Sequence, residues 1–149
     1  MIAAALTDAD LASAVADERG VPLIGREREH CLLRAAGERD LAWGRLYEGH
    51  VNALQLLARL APPDVAAAAR NAALDGRLFG VWNTEANDGV VIAEESPHGF
   101  VLAGRKTFAS GAGRVARALI TAADAGGRKQ LLLVPMDRVR THVDKSFWN

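Results

Sequence analysis

The sequence contains little cysteine, few aromatic residues and no excess of charge of either sign. Its 149 residues include one cysteine, Cys31, so an internal disulfide or a metal site made of several cysteines is excluded. Eighteen Lys and Arg residues balance eighteen Asp and Glu residues, and the basic residues do not gather into one run. Because a nucleic-acid surface requires a basic patch, a nucleic-acid partner is not expected.

Long apolar runs are also missing. No stretch reaches the roughly 20 consecutive apolar residues that a membrane-spanning helix needs. Near the N-terminus, Asp8 and Asp10 interrupt the apolar residues too early for a signal peptide. We therefore expect a cytoplasmic protein with no membrane partner. Half of the residues are hydrophobic, which predicts a packed core and argues against disorder.

The first half of the chain has the periodicity of helices. In residues 40–60, leucine and valine recur at spacings of mostly three to five, and Pro62 and Pro63 follow soon after. Further helices are predicted over residues 11–19, 26–36 and 64–74, with Pro63 near the start of the last. We predict that Cys31, within the second of these helices, is buried, because free cysteine usually is.

After about Gly76 the pattern changes to the alternation typical of strands. Short apolar pieces are separated by turn-forming residues, among them the glycine pair Gly126-Gly127. Strands are predicted at residues 78–82, 90–94, 100–103, 106–109, 118–122 and 131–134. The chain is therefore predicted to be α+β. A helical bundle domain over residues 1–76 precedes an antiparallel sheet or barrel domain over residues 77–149.

Common metal and nucleotide motifs are not found in the sequence. The four histidines lie in different predicted elements without the spacing of a ligand set, so no metal site is predicted: His30, His50, His98 and His142. The segment Gly111-Ala112-Gly113 follows a predicted strand but does not open a helix, as a dinucleotide-binding loop does.

Two segments, residues 79–85 and 104–112, end a predicted strand in polar groups. A flavin ring needs a flat apolar wall and donors around its polar edge, and residues that share a face of a strand end can supply both. The same residues also fit a structural role, in which Trp82 and Phe108 fill the core while Thr84 and Ser110 cap turns. Residue types alone favour the structural role, because aromatic residues in strands usually serve packing.

These two segments together resemble the acyl-CoA dehydrogenase family. The middle β domain of that family has a Thr-Glu-Pro-x-x-Gly-Ser-Asp loop and, further along, a Gly-x-Lys-x-Trp/Phe-Ile-Thr/Ser motif. Similar residues here are Asn83-Thr-Glu-Ala-Asn-Asp-Gly89 and Gly104-Arg-Lys-Thr-Phe-Ala-Ser110. Residues 131–135 and 144–148 resemble later parts of the same domain, and residues 45–52 fit the helical domain. The resemblance therefore covers nearly the whole chain.

The resemblance implies a flavin site with FAD as the cofactor. Thr84 would hydrogen-bond the pyrimidine edge of the flavin, and Ser110 would approach its N5 or O4 atom. Phe108 would cover one face of the ring, with Trp82 beside it. The four cofactor-binding residues implied by the family are thus Trp82, Thr84, Phe108 and Ser110.

The resemblance also implies an acyl-CoA-type substrate, with Asn87 and Asp88 near the path of its pantetheine. The loop from Ala86 to Gly89 is shorter than in the family and lacks its proline and Gly-Ser pair. In the family, the rest of the β domain and a helical bundle follow, and that bundle usually carries the catalytic glutamate. We therefore expect an incomplete β domain with no catalytic base of its own. Its open strand edges predict a homo-oligomer or a complementing second chain.

Three functions are compatible with the sequence. The leading one is a flavoprotein fragment whose parent reaction is the FAD-dependent α,β-desaturation of an acyl-CoA thioester, inactive as this chain alone. The second is a flavin-dependent monooxygenase of the same fold, which requires no carboxylate base. The third is a non-catalytic domain that packs against a partner and binds no cofactor.

Overall fold

The structure, a computed structural model, describes residues 26–85 and 88–142, and the helix predicted over residues 11–19 lies outside them. Three helices come first: α1 (Arg26–Arg39), α2 (Leu41–Leu60) and α3 (Pro63–Leu74). Five strands follow: β1 (Phe79–Trp82), β2 (Val91–Ser96), β3 (Gly99–Ala103), β4 (Arg117–Ala123) and β5 (Lys129–Pro135), with a short 3-10 helix at Met136–Arg138.

Local signals set the ends of α2. The side chain of Asp40 precedes the helix and its Oδ1 accepts a hydrogen bond from the backbone N–H of Trp43 at 2.8 Å. Pro62 and Pro63 end α2 by removing backbone donors, and Pro63 then occupies the first position of α3. The predicted bounds of both helices are therefore confirmed to within one residue at each end.

Helices α1 and α2 pack through two glycines. A Cβ atom placed on Gly44 would stand 2.9 Å from the Cα of Gly37, so a side chain has no room there. At this contact α1 continues past Gly37 to Arg39 instead of ending near residue 37 as predicted. Cys31 is exposed, so its predicted burial is wrong. The side chains of α1 that pack on α2 are Leu32, Leu33 and Ala36.

The strands form an open, mixed sheet. β1 pairs in parallel with β4, from Phe79 opposite Arg117 to Trp82 opposite Ile120. The β2–β3 and β4–β5 pairs are antiparallel. The predicted α+β class is confirmed, but the prediction of an antiparallel sheet is wrong for two pairs, because β1 pairs in parallel with β4 and β2 also pairs in parallel with β4, at Val91 opposite Ala123. Because β1 and β2 are both parallel to β4, the chain does not reverse direction between β1 and β2, and β3 and β5 run opposite to these three.

The strand predicted over residues 106–109 is not formed. Only Lys106 pairs there, in an isolated antiparallel bridge with Glu85. The backbone has positive φ at Gly104 (109°), Phe108 (54°) and Gly111 (78°), and such conformations interrupt an extended strand. The segment is therefore a series of turns between β3 and β4.

One apolar cluster joins the helices to the sheet. Most of its buried members come from α2, α3, β1 and β4, and they include Leu54, Leu57, Ala73, Phe79, Trp82, Leu119 and Ile120. The cluster includes residues on both sides of the domain boundary predicted near Gly76, and the division into two domains stays a prediction. None of the helices in the described part of the chain has the length and apolar character needed to cross a membrane.

His50 connects α2 to β1 inside this interface. Its side chain is buried, and its Nδ1 accepts a hydrogen bond from the backbone N–H of Phe79 at 3.1 Å. The imidazole ring also lies 5.9 Å from the Phe79 ring. Because burial penalises the charged form, the pKa of His50 is lowered from 6.5 to about 4. The fold therefore requires the neutral imidazole.

We expect His50 to make folding stability depend on pH. The unfolded chain takes up a proton near pH 6.5 and the folded chain only near pH 4, so stability falls as the pH decreases through this window. The loss amounts to about 3 kcal/mol. In His50→Gln, whose amide oxygen can still accept the Phe79 N–H, urea unfolding should depend much less on pH between 6.5 and 4.

The matched control is His98→Gln, in the exposed turn between β2 and β3. This variant should keep the pH dependence of the unmodified protein. An unchanged slope in His50→Gln would contradict the assignment of the slope to His50.

Candidate functional site

The two segments singled out in the sequence lie side by side. The indole Nε1–H of Trp82 donates a hydrogen bond to the backbone carbonyl of Ser110 at 3.0 Å. Further along, Glu85 and Lys106 form an antiparallel bridge. These two contacts align residues 82–85 with residues 106–110 in opposite directions.

Trp82 lies behind this junction, in the core. It is only 6% exposed, and a Cβ atom placed on Gly80 would stand 3.1 Å from its Nε1, so the indole covers the Gly80 backbone. Ser110, whose carbonyl the indole binds, is half-buried. Trp82 therefore packs as the structural alternative predicted, while it also holds the turn that carries Ser110.

Thr84 and Phe108 lie on the surface of the same junction. Thr84 is exposed, and Phe108 is 56% exposed, so Phe108 does not fill the core. The backbone N–H of Ser110 donates to the carbonyl of Phe108 at 2.9 Å, which closes a tight turn. Positive φ is strained for an aromatic residue, and strain of this kind often occurs at functional sites.

A group of charged residues holds the other end of the junction. The Lys106 side chain is 6% exposed, and its Nζ donates to Glu85 Oε1 at 3.0 Å and to Thr121 Oγ1 at 2.8 Å. Lys129 also donates a hydrogen bond to the Glu85 carboxylate. The hydrogen bonds from Lys129 and Lys106 lower the pKa of Glu85 to about 2. Glu85 therefore stays charged between the two lysines.

The loop that follows Glu85 is fastened to the turn after β3. Arg105 Nε lies 2.6 Å from Asp88 Oδ2, and the Arg105 backbone N–H donates to the Asp88 carbonyl at 3.0 Å. The hydrogen bond from Arg105 lowers the pKa of Asp88. The carboxylate proposed for substrate binding is thus engaged in an ion pair. Asn87 lies outside the described residues.

A shallow depression lies beside the Trp82–Ser110 contact, between α2 and β1. It is lined mainly by apolar groups, from Arg45, Leu46, Gly49, Phe79, Gly80, Val81, Trp82, Ser110 and Val115. Within residues 26–85 and 88–142, no three His, Cys, Asp or Glu side chains gather closely enough to hold a metal ion. Lys106 belongs to the Gly-x-Lys motif, but its contacts with Glu85 and Thr121 were not predicted from the sequence.

The fold is similar to several solved structures. TdsC from Paenibacillus sp. A11-2, in complex with FMN and indole, is 21% identical with a TM-score of 0.65, over 88% of this chain and 44% of that one. The Tcur3481-Tcur3483 steroid ACAD, as its G363A variant, is 21% identical with a TM-score of 0.54, over 89% and 40%. KijD3 in complex with dTDP is 18% identical with a TM-score of 0.52, over 89% and 32%.

The chain spans less than half the length of each of these proteins. No protein-family model matches the sequence, and no curated protein matches it significantly. Identities near 20% show a shared fold and nothing finer. The chain therefore shares the fold of parts of TdsC, the steroid ACAD and KijD3, and membership of the acyl-CoA dehydrogenase family stays a prediction from the sequence motifs.

Substitution of Gly104 measures how closely the backbone packs between this residue and residues 88–89. A Cβ atom there would stand 2.5 Å from the Gly89 carbonyl oxygen and 2.8 Å from that of Asp88. Gly99, at the other end of β3, also has a positive φ but nothing within 4 Å of its Cβ position. We expect Gly99→Ala to cost about 1–2 kcal/mol through backbone strain alone. Gly104→Ala should cost about 3 kcal/mol or more, because strain and overlap add.

Urea unfolding of the two variants provides the measurement. Equal losses of stability would show that the contact between Gly104 and the 88–89 backbone is not tight in solution.

Proposed function

We propose that this chain forms one wall of a flavin site in an oxidoreductase of the acyl-CoA dehydrogenase fold. The observation that carries the proposal is the junction of residues 82–85 with residues 106–110, in which Thr84 and Phe108 are both exposed and Ser110 is half-buried. The fold likeness adds support, because the structure of TdsC contains FMN.

The residues at the junction have the chemistry that a flavin ring requires. The exposed face of Phe108 offers a flat apolar wall, and the hydroxyls of Thr84 and Ser110 can donate to the polar edge of the ring. Trp82 supports this surface from behind through its bond to the Ser110 carbonyl. A bound flavin would supply hydride-transfer chemistry, while these residues bind and orient the ring.

The resemblance implies FAD, whereas TdsC is bound to FMN. Both cofactors carry the same isoalloxazine ring, and that ring is the group that we propose Thr84, Phe108 and Ser110 contact. The proposal therefore covers either flavin, with FAD as the form that the sequence motifs favour.

For the complete enzyme we propose α,β-desaturation of an acyl-CoA-type substrate. Asn87 and Asp88 remain candidates for contacts with that substrate, although Asp88 would first have to release Arg105. A flavin-dependent monooxygenase is the second candidate, and the absence of the family's Pro and Gly-Ser residues from 86–89 favours it. The open sheet is consistent with a proposed homo-oligomer or complementing second chain that covers a strand edge.

Titration of FAD and FMN into the chain, followed by flavin fluorescence and visible absorbance, tests the proposal. We expect binding, and we expect Thr84→Ala and Ser110→Ala each to raise the flavin Kd about tenfold through loss of one hydrogen bond. Phe108→Ala should also weaken binding by removing the apolar wall. Thr141→Ala makes the same chemical change at an exposed position in the segment after the 3-10 helix and should leave the Kd unchanged.

A chain that takes up neither flavin would contradict the proposal and favour the non-catalytic, partner-binding domain. Equal loss of affinity in Thr84→Ala and Thr141→Ala would show that flavin binds elsewhere.

Anaerobic mixing of acyl-CoA with the complete flavin-loaded enzyme, in which the proposed further part or second chain supplies the catalytic base, separates the two enzyme reactions. Bleaching of the flavin absorbance is expected for the dehydrogenase, since substrate oxidation reduces the ring. An oxidised flavin that persists with acyl-CoA, but reacts with oxygen after chemical reduction to hydroxylate an added substrate, would favour the monooxygenase.

A further inference from the structure

We infer that Lys106 is a positioning residue for the flavin wall, whose buried ammonium group fixes residues 106–110 against the sheet. This inference rests on the proposed flavin site and adds the group that holds the site in place.

The backbone of residues 106–110 has little regular pairing with the sheet. It forms no strand, and its pairing with residues 82–85 is limited to the Glu85–Lys106 bridge. At the far end of the segment, the Trp82 indole holds the Ser110 carbonyl. Because regular sheet pairing is missing, side chains must determine where Phe108 and Ser110 lie.

At the start of the segment, Lys106 is the residue that contacts the sheet. Lys106 points inward and donates to Thr121 on β4, the strand that pairs with β1, β2 and β5. The same ammonium group donates to Glu85, which follows Thr84 directly. One buried group therefore connects both segments of the proposed flavin wall to the middle of the sheet.

Lys106 and Lys129 both contact Glu85, but they differ in burial and in their further contacts. The Lys129 side chain is 53% exposed, whereas that of Lys106 is 6% exposed and makes the additional bond to Thr121. Loss of Lys129 leaves the connection from Glu85 to Thr121 intact. Loss of Lys106 breaks that connection but leaves the Glu85 carboxylate paired with Lys129, so no carboxylate is left without a partner.

Lys106→Met removes the charge and keeps the length of the side chain. We expect it to raise the flavin Kd about tenfold, the effect of roughly one lost interaction, and to change the visible absorbance spectrum of the bound flavin. Lys106→Arg should restore much of both properties because it keeps the charge. Lys129→Met, which removes the exposed partner of the same carboxylate, should leave the Kd and the spectrum nearly unchanged.

Thr121→Val provides a second variant in case Lys106→Met fails to fold. Valine has nearly the shape of threonine but cannot accept the Lys106 hydrogen bond, so we expect a smaller change of Kd and spectrum in the same direction. All measurements use the whole chain, at a temperature where circular dichroism shows each variant to be folded.

The outcomes separate this inference from the proposed function. If the unmodified chain binds no flavin, the proposed function fails and this inference fails with it. If it binds flavin, but folded Lys106→Met or Thr121→Val retains the unmodified Kd and spectrum, only the positioning role of Lys106 is overturned. Equal effects of Lys106→Met and Lys129→Met would point to general surface charge and would also overturn the inference.

Discussion

The hydrogen bond from the Trp82 indole to the Ser110 carbonyl connects the end of a buried strand to a turn with no strand partner of its own. Strand β1 is fixed on one side by β4 and on the other by α2 through His50. The turn thus takes its position from the core, although its Phe108 lies on the surface. At the opposite end of the turn, the hydrogen bond from Lys106 to Thr121 likewise connects the turn to the sheet.

The parts of the fold that follow from neighbouring residues were predictable. Asp40 as a cap and the Pro62-Pro63 pair act within one helical turn, so the bounds of α2 and α3 could be derived from the sequence. The parallel pairing of β1 with β4 could not be predicted, because the alternation of apolar and polar residues in a strand does not indicate the direction in which its partner runs. The positive φ of Phe108 could not be predicted either, because aromatic residues seldom adopt this conformation.

The candidate site was predictable in outline. The two strand-end segments were expected to converge, and the Trp82–Ser110 contact brings them together. The contacts of Lys106 were not predictable, since Glu85 and Thr121 lie 21 and 15 residues away in sequence and meet it only after the sheet forms. The similarity in fold to TdsC and a steroid ACAD identifies the corresponding segments of the chains. The contacts of Lys106 are known only from the structure of this chain.

The close approach of α1 and α2 at Gly37 and Gly44 has a consequence for the distant strand. A Cβ atom at Gly44 would overlap the backbone of α1 at Gly37, so one of the two helices would have to shift. Helix α2 carries His50, which binds the first residue of β1. A movement of α2 would act on β1 through the hydrogen bond between His50 and Phe79, and β1 ends at Trp82, which binds the Ser110 carbonyl.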